Sequence, residues 1–155
     1  MESFVDIIIN KDSFHISKYR SITGEIYLKI DNKYFPEEGW SDFPVVILTW
    51  WIKSLLQIIE GKVGTSQEFL FMDGPLLIKG KKVDIDIMEL EFVHKEVIQF
   101  TSSCSISSFK SSVVEASKIT LEYMIRNGWK TSDTIELESL YKHQNNKLLL
   151  RQVKQ

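Results

Sequence analysis

The chain has 155 residues, enough for one domain with a core able to fold alone. Apolar residues make up 43% and charged residues 26%, ordinary for a soluble globular protein, and a net charge of −2 gives no global field for nucleic acid. The single cysteine, Cys104, excludes an internal disulfide and suits a reducing compartment.

Phe4 to Ile9 is a β-rich run broken by Asp6. Lys11-Asp12-Ser13 reads as a turn, and Phe14 to Tyr19 as a returning strand. In Thr23 to Ile30, apolar Ile26, Leu28 and Ile30 alternate with Glu25, Tyr27 and Lys29, the period of a half-buried strand. Asp31-Asn32-Lys33 turns the chain into Tyr34-Phe35, which Pro36 ends.

Pro44 to Glu60 predicts a helix that serves as the spine of the core. Pro44 fits the first turn, where its missing N–H costs nothing. Ser41 and Asp42 stand ahead of it as capping oxygens, and Gly61 follows as a stop. Thr49, Lys53, Gln57 and Glu60 fall on one narrow polar stripe bordered by Ser54. That stripe leaves no exposed side for Trp50 or Trp51, so both are expected to be mostly buried.

Lys62 to Gln67 is a polar loop and Glu68 to Met72 an apolar strand. Asp73-Gly74-Pro75 predicts a reversal with Gly74 at positive φ. Leu76 to Ile78 is the next short strand, and Gly80-Lys81-Lys82 another turn. Val83 to Phe92 then reads as the most regular strand. Its apolar phase switches at Ile87-Met88, which predicts a bulge. His94-Lys95-Glu96 is a turn before the last strand, Val97 to Thr101.

A serine-rich passage, Ser102 to Ser112, leads into a helix over about Phe109 to Asn127. Glu115, Lys118, Glu122 and Arg126 form its polar stripe. Phe109, Val113, Ala116, Ile119 and Tyr123 lie on the buried side, and Gly128 suits the helix end. Ser132 or Asp133 caps a third helix from near Thr134, with Glu136 placed for a capping box. Asn145-Asn146 is a candidate break. Leu148-Leu149-Leu150 is either a final turn or an arm packed on the domain.

Strands joined by hairpins, one helix, more strands and then two helices predict an α+β fold. The expected form is a single domain over 1–155, an antiparallel sheet of hairpins packed on a central hydrophobic helix, with two C-terminal helices. The start, MESFVDIIIN, lacks the positive region and apolar core of a secretory signal. The apolar run from Phe43 to Trp51 meets Lys53 too soon for a membrane span. A cytoplasmic protein without membrane contact is expected.

No hydrolase elbow, phosphate loop, dinucleotide fingerprint or zinc-ligand motif occurs. No cofactor or metal is expected, although His94 with Asp84 and Asp86 is one set of ligands that could converge. Cys104 with a distant histidine is a conceivable nucleophilic pair, but a small thiol in a β-like run is more often core. Trp40, Phe43, Trp50 and Trp51 are better explained as core than as a ligand pocket. Trp129 is either an exposed anchor or a lid. Asp84, Asp86, Glu89 and Glu91 place four carboxylates in eight residues with no base among them. A bulge at Ile87-Met88 would join them into one acidic ladder. Such a face suits a basic protein partner and would steer its approach. The chain halves differ as well, at −5 for residues 1–100 and +3 for 101–155.

Two stretches resemble a known group. Gly39-Trp40-Ser41-Asp42-Phe43 running into Trp50-Trp51, and Phe71-Met72-Asp73-Gly74-Pro75 after it, resemble small bacterial proteins associated with immunity to secreted polymorphic toxins. Leu76 stands where that group carries an aromatic residue. The shared motifs are a helix start and a turn, so no binding residue is carried over. The resemblance implies a non-enzymatic inhibitor that binds one toxin domain. A basic nuclease toxin would suit an acidic patch. The alternatives are a small-molecule-binding or enzymatic domain with a pocket beside the spine helix, and a homo-oligomer built on an exposed strand edge.

Overall fold

The computed structural model describes the backbone of residues 2–153 and the side chains of residues 2–144. The fold is α+β, with two four-stranded antiparallel sheets and three helices. The first sheet holds β1 (Val5–Ile16), β2 (Ile22–Ile30), β3 (Lys33–Phe35) and β4 (Ser41–Asp42); β2 pairs with all three others. The second runs in simple order through β5 (Ser66–Leu70), β6 (Leu76–Asp84), β7 (Ile87–His94) and β8 (Val97–Ser105). Helix α1 spans Pro44–Glu60, α2 Ile106–Asn127 and α3 Ser132–Val153. None of the described helices is long and apolar enough to cross a membrane.

The sequence suggested one sheet; the strands form two because α1 interrupts the hairpin chain between β4 and β5. Helix α1 touches β2, β5 and β6 as well as α2 and α3. Its bounds match the expected ones, but its start does not. Phe43 is the N-cap residue and supplies no side-chain bond. Ser41 and Asp42 instead form β4, and buried Asp42 accepts from Phe43 N–H at 2.8 Å and Trp40 Nε1–H at 2.9 Å. Thr49 leaves the expected polar stripe: it is buried, and its hydroxyl donates back to Val45 O. Trp51 is fully enclosed, whereas Trp50 is only half-buried against the core.

The edge of β5 is closed by α1. Trp51 Nε1–H donates to Leu70 O and Ser54 Oγ–H to Glu68 O, both at 2.8 Å. These bonds occupy acceptors that an edge strand would otherwise offer to another chain. Phe35 joins the two sheets. It comes from β3 and meets the rings of Phe71, Phe92 and Phe100 edge-on, and Phe92 and Phe100 stack with centroids 4.4 Å apart.

Two expected turns resolve differently. Lys11-Asp12-Ser13 lies inside β1, where the register with β2 shifts between Asn10 and His15. Gly80-Lys81-Lys82 lies inside β6, and the chain reverses instead at Ile85-Asp86. The phase switch at Ile87-Met88 therefore marks a new strand; the bulge is at Val83, between the pairs Lys82–Met88 and Asp84–Ile87. Gly80 faces inward, and a Cβ on it would come within 2.9 Å of Met88 Sδ and 3.0 Å of the Phe69 ring, so a larger residue would make those side chains shift. Asp73-Gly74-Pro75 does turn the chain, with Leu76 N–H donating to Asp73 O. Gly74 is not among the glycines at positive φ, and a Cβ on it meets open space, so a side chain there carries no left-handed strain. Lys95-Glu96 forms the last hairpin turn, both residues at positive φ.

Helix α2 starts at Ile106, directly after β8, with Ser105 as N-cap. Gly128 closes it at φ 68. Trp129 folds back over Tyr123, whose ring meets Phe14, so it is a lid on the core. The cap of α3 is Thr131, which exchanges bonds with Thr134. Glu136 is thereby left free of the expected capping box and pairs with Lys53 of α1 at 2.7 Å. The α3 backbone continues through Asn145-Asn146; the side chains of Leu148, Leu149 and Leu150 lie outside the described residues.

Candidate functional site

The four carboxylates singled out in the sequence do not form a ladder. The hairpin at Ile85-Asp86 separates them. Asp84 ends β6 and is exposed, its Oδ1 accepting from Ile85 N–H. Asp86 sits in the turn and holds the start of α2. It accepts from Ser107 N–H at 2.9 Å and from the hydroxyls of Ser105 and Ser107, each at 2.8 Å. A carboxylate at a helix N-terminus also meets the positive end of the helix dipole. Partial burial works to raise the Asp86 pKa, but the bonds from Ser107 and Ser105 outweigh it and hold the carboxyl below its usual value of 3.8.

That shift predicts a pH dependence. A depressed folded-state pKa stabilises the protein above the unfolded value, and the benefit disappears as pH falls through the folded pKa. Asp86→Asn is therefore expected to unfold at lower denaturant than the parent at pH 7, with the gap closing below about pH 3.8. Denaturation curves at both pH values check this; an equal gap at both would refute the charge-based account.

Glu89 and Glu91 do share the outer face of β7. Their cross-strand neighbours on β6 are Lys81 and Lys79, and those on β8 are Ser103 and Thr101. Glu68 of β5 pairs with Lys79 in turn. The outer face of the second sheet thus alternates in sign instead of being acidic. It encloses a depression of ≈ 870 Å³ lined by these residues. At the other end of the face lies an apolar row, Leu70, Leu77, Val93 and Ile98, one residue per strand.

The first sheet presents a different surface. With Ile26, Leu28 and Ile30 buried, Glu25, Tyr27 and Lys29 of β2 face outward. Register places Ile8 opposite Tyr27, Asp6 opposite Lys29, and Tyr34 on the other side of Lys29. Tyr27 and Tyr34 lie with ring centroids 5.9 Å apart, and both are half-buried. Burial, then Glu38, Glu25 and Tyr34, push the Tyr27 hydroxyl up, while the N–H of Gly39 donated to it works the other way. This is an aromatic and aliphatic centre with the carboxylates of Glu25 and Glu38 near the Tyr27 hydroxyl and Lys29 beside Tyr34. Sequence reasoning passed over these residues because it treated the outward positions of β2 as solvent filler; two tyrosines at outward positions were the available signal.

The other candidates separate. His94 lies at the far end of β7 from Asp84 and Asp86, roughly 25 Å along the strand. Among the described residues no cluster of three metal-ligating side chains occurs. Cys104 is buried, and burial, with Glu2 and Asp86, pushes its thiol up to about 12, so it is a protonated core residue at neutral pH. Beside α1, the space lined by Ile52, Leu55, Ile59, Val113 and Gln144 is ≈ 10 Å³, room for about one water. A groove of ≈ 600 Å³ runs between β1, the end of β8 and α2, floored by Phe109 and Ala116. Comparison of the chain with models of known protein families, with characterised proteins and with solved structures finds no match.

Proposed function

We propose that this chain is a non-enzymatic protein-binding domain of the immunity type, which neutralises a toxin domain by direct contact. The partner is a basic protein surface, and the contact is made by the outer face of the first sheet. The observation that supports this is the Tyr27–Tyr34–Ile8 centre with Glu25 and Glu38 beside Tyr27, and Asp6 paired with Lys29 at its margin. Tyrosines at half-buried positions supply large, stiff contact area and a hydroxyl, the residue type enriched where binding energy concentrates. The carboxylates add steering towards a basic partner. Glu89 and Glu91 stand among lysines, which cancels much of their local field, so the weight moves from the second sheet to the first. Among the described residues, the space beside α1 lined by Ile52, Leu55, Ile59, Val113 and Gln144 is too small for a ligand, so that space gives no support to a small-molecule pocket.

The test uses as ligand a protein captured by the chain from its native host, or the product of a neighbouring gene. Tyr27→Ala is expected to weaken binding about 30-fold, the effect of losing a central anchor worth about 2 kcal/mol. Glu38→Lys, at an exposed loop position, should slow association several-fold at low salt while leaving the melting temperature unchanged. Unaltered binding by both variants would sink the proposal.

A further inference from the structure

The outer face of the second sheet carries a pattern that reads the same from either side. Its residues fall in three rows across β5, β6, β7 and β8. One is Ser66–Lys81–Glu89–Ser103, the next Glu68–Lys79–Glu91–Thr101, and the third Leu70–Leu77–Val93–Ile98. The second and third contacts of each charged row are lysine on β6 and glutamate on β7. The outermost residues are hydroxyl or carboxylate on both sides, and the third row is apolar throughout.

We infer that this face binds a second copy of the same chain, through a two-fold axis that runs parallel to the strands between β6 and β7. Rotation about that axis turns the copy face to face and exchanges β6 with β7 and β5 with β8. Lys81 then meets Glu89 of the second copy and Lys79 meets its Glu91, each twice by symmetry. Ser66 comes over Ser103, Glu68 over Thr101, Leu77 over Val93 and Leu70 over Ile98. An interface of this kind is isologous, and self-complementarity is what it demands. A two-fold axis across the strands would place the charged row at one end against the apolar row at the other, which buries lysines and glutamates on leucine without partners. The pattern therefore selects both the partner and the axis.

Two further features fit. Leu70 is 39% exposed and Ile98 49%, whereas Val93 is already buried at 4%, so the apolar contact with the second copy is carried by Leu70 and Ile98 at the two ends of the row. The long side chains of Lys79, Lys81, Glu89 and Glu91 frame a depression of ≈ 870 Å³ that facing side chains of the same kind can fill at the spacing of about 10 Å between stacked sheets. Each lysine already has a glutamate beside it on its own sheet, so the added ion pairs gain little net energy after desolvation. The apolar row supplies the attraction and the charges set the register. Four strands about 4.8 Å apart and some seven residues long offer roughly 400 Å² per copy, the size of weak, transient interfaces, so a weak monomer–dimer equilibrium is expected.

The inference is independent of the proposed contact through the first sheet, and its test leaves that surface untouched. Sedimentation velocity of the full chain over about 1 µM to 1 mM should show a monomer–dimer equilibrium. Lys79→Glu with Lys81→Glu makes the face wholly acidic, and Glu89→Lys with Glu91→Lys leaves it basic except for Glu68. Each double variant alone should dimerise at least tenfold more weakly than the parent. An equimolar mixture of the two should form a heterodimer at least as tight as the parent dimer, a rescue that misfolded variants cannot give. Ile98→Lys, at the open end of the apolar row, should abolish association in every background. A parent that stays monomeric at 1 mM, double variants that dimerise like the parent, or a mixture that fails to associate would each overturn the inference.

Discussion

Trp51→Ala is expected to lower the urea midpoint by about 2 M or more. Trp51 is fully buried, its ring meets Phe71 edge-on at 5.4 Å, and its Nε1–H donates to Leu70 O. Truncating a buried tryptophan costs about 3–5 kcal/mol. The carbonyl of Leu70 also loses its donor; if it stays dry, that adds about 1–3 kcal/mol. With a denaturant slope of about 2 kcal/mol/M and a domain stability of about 5–15 kcal/mol, the loss is a large share of the total. Trp51→Phe keeps a six-membered ring in the core, so it should cost less than Trp51→Ala while still removing the donor to Leu70 O. Trp50→Ala is the internal control: Trp50 is half-buried, and its truncation should cost clearly less. Equal midpoints for Trp50→Ala and Trp51→Ala would show that burial does not rank these two residues.

Phe35→Ala should come next, at about 3–4 kcal/mol. Phe35 is the ring that β3 contributes to a cluster otherwise drawn from the second sheet and the segment after β5. Its loss empties the joint between two sheets that share no continuous strand pairing. The expected signature is local as well as global. Amide protons of β3 and of β8 around Phe100 should lose protection against exchange before those of β6 and β7. Phe35→Leu, which refills part of the volume, should restore much of the stability. Uniform loss of protection across both sheets would instead mean that the two unfold as one unit and that Phe35 is no special joint.

Lys82 explains why the β6 region was misread. Lysine after Gly80 and Lys81 looks like turn chemistry in sequence. In the fold its stem lies on the inner side of β6, and its ammonium donates to Ile59 O and Gly61 O at the end of α1. Those are carbonyls that a helix leaves unpaired at its C-terminus, and a cation there also meets the negative end of the helix dipole. α1 has no basic residue in its own last turn, so a strand far along the chain supplies one. No local pattern could reveal that contact. A turn at Gly80 to Lys82 would absorb the true turn at Ile85-Asp86 into a strand and line up four carboxylates that the hairpin separates.

What the sequence by itself determined is what depends on period and on strong local signals. Pro44, the apolar surround and Gly61 specified α1 to the residue; alternation specified β2; Gly128 specified the end of α2. Each is set by backbone geometry within a few residues, where burial of a face, the missing N–H of proline or a left-handed residue leaves few alternatives. The tertiary structure decided everything that required two distant segments to meet. It divided the strands into two sheets, gave Asp86 to the start of α2 and Lys82 to the end of α1, and set Lys79 and Lys81 against Glu91 and Glu89. It also gathered Ile8, Tyr27 and Tyr34 from three strands onto one face. A charge or an aromatic ring acts through its neighbours in space, and cross-strand register, which chooses those neighbours, is fixed by the packing of the whole sheet on its core.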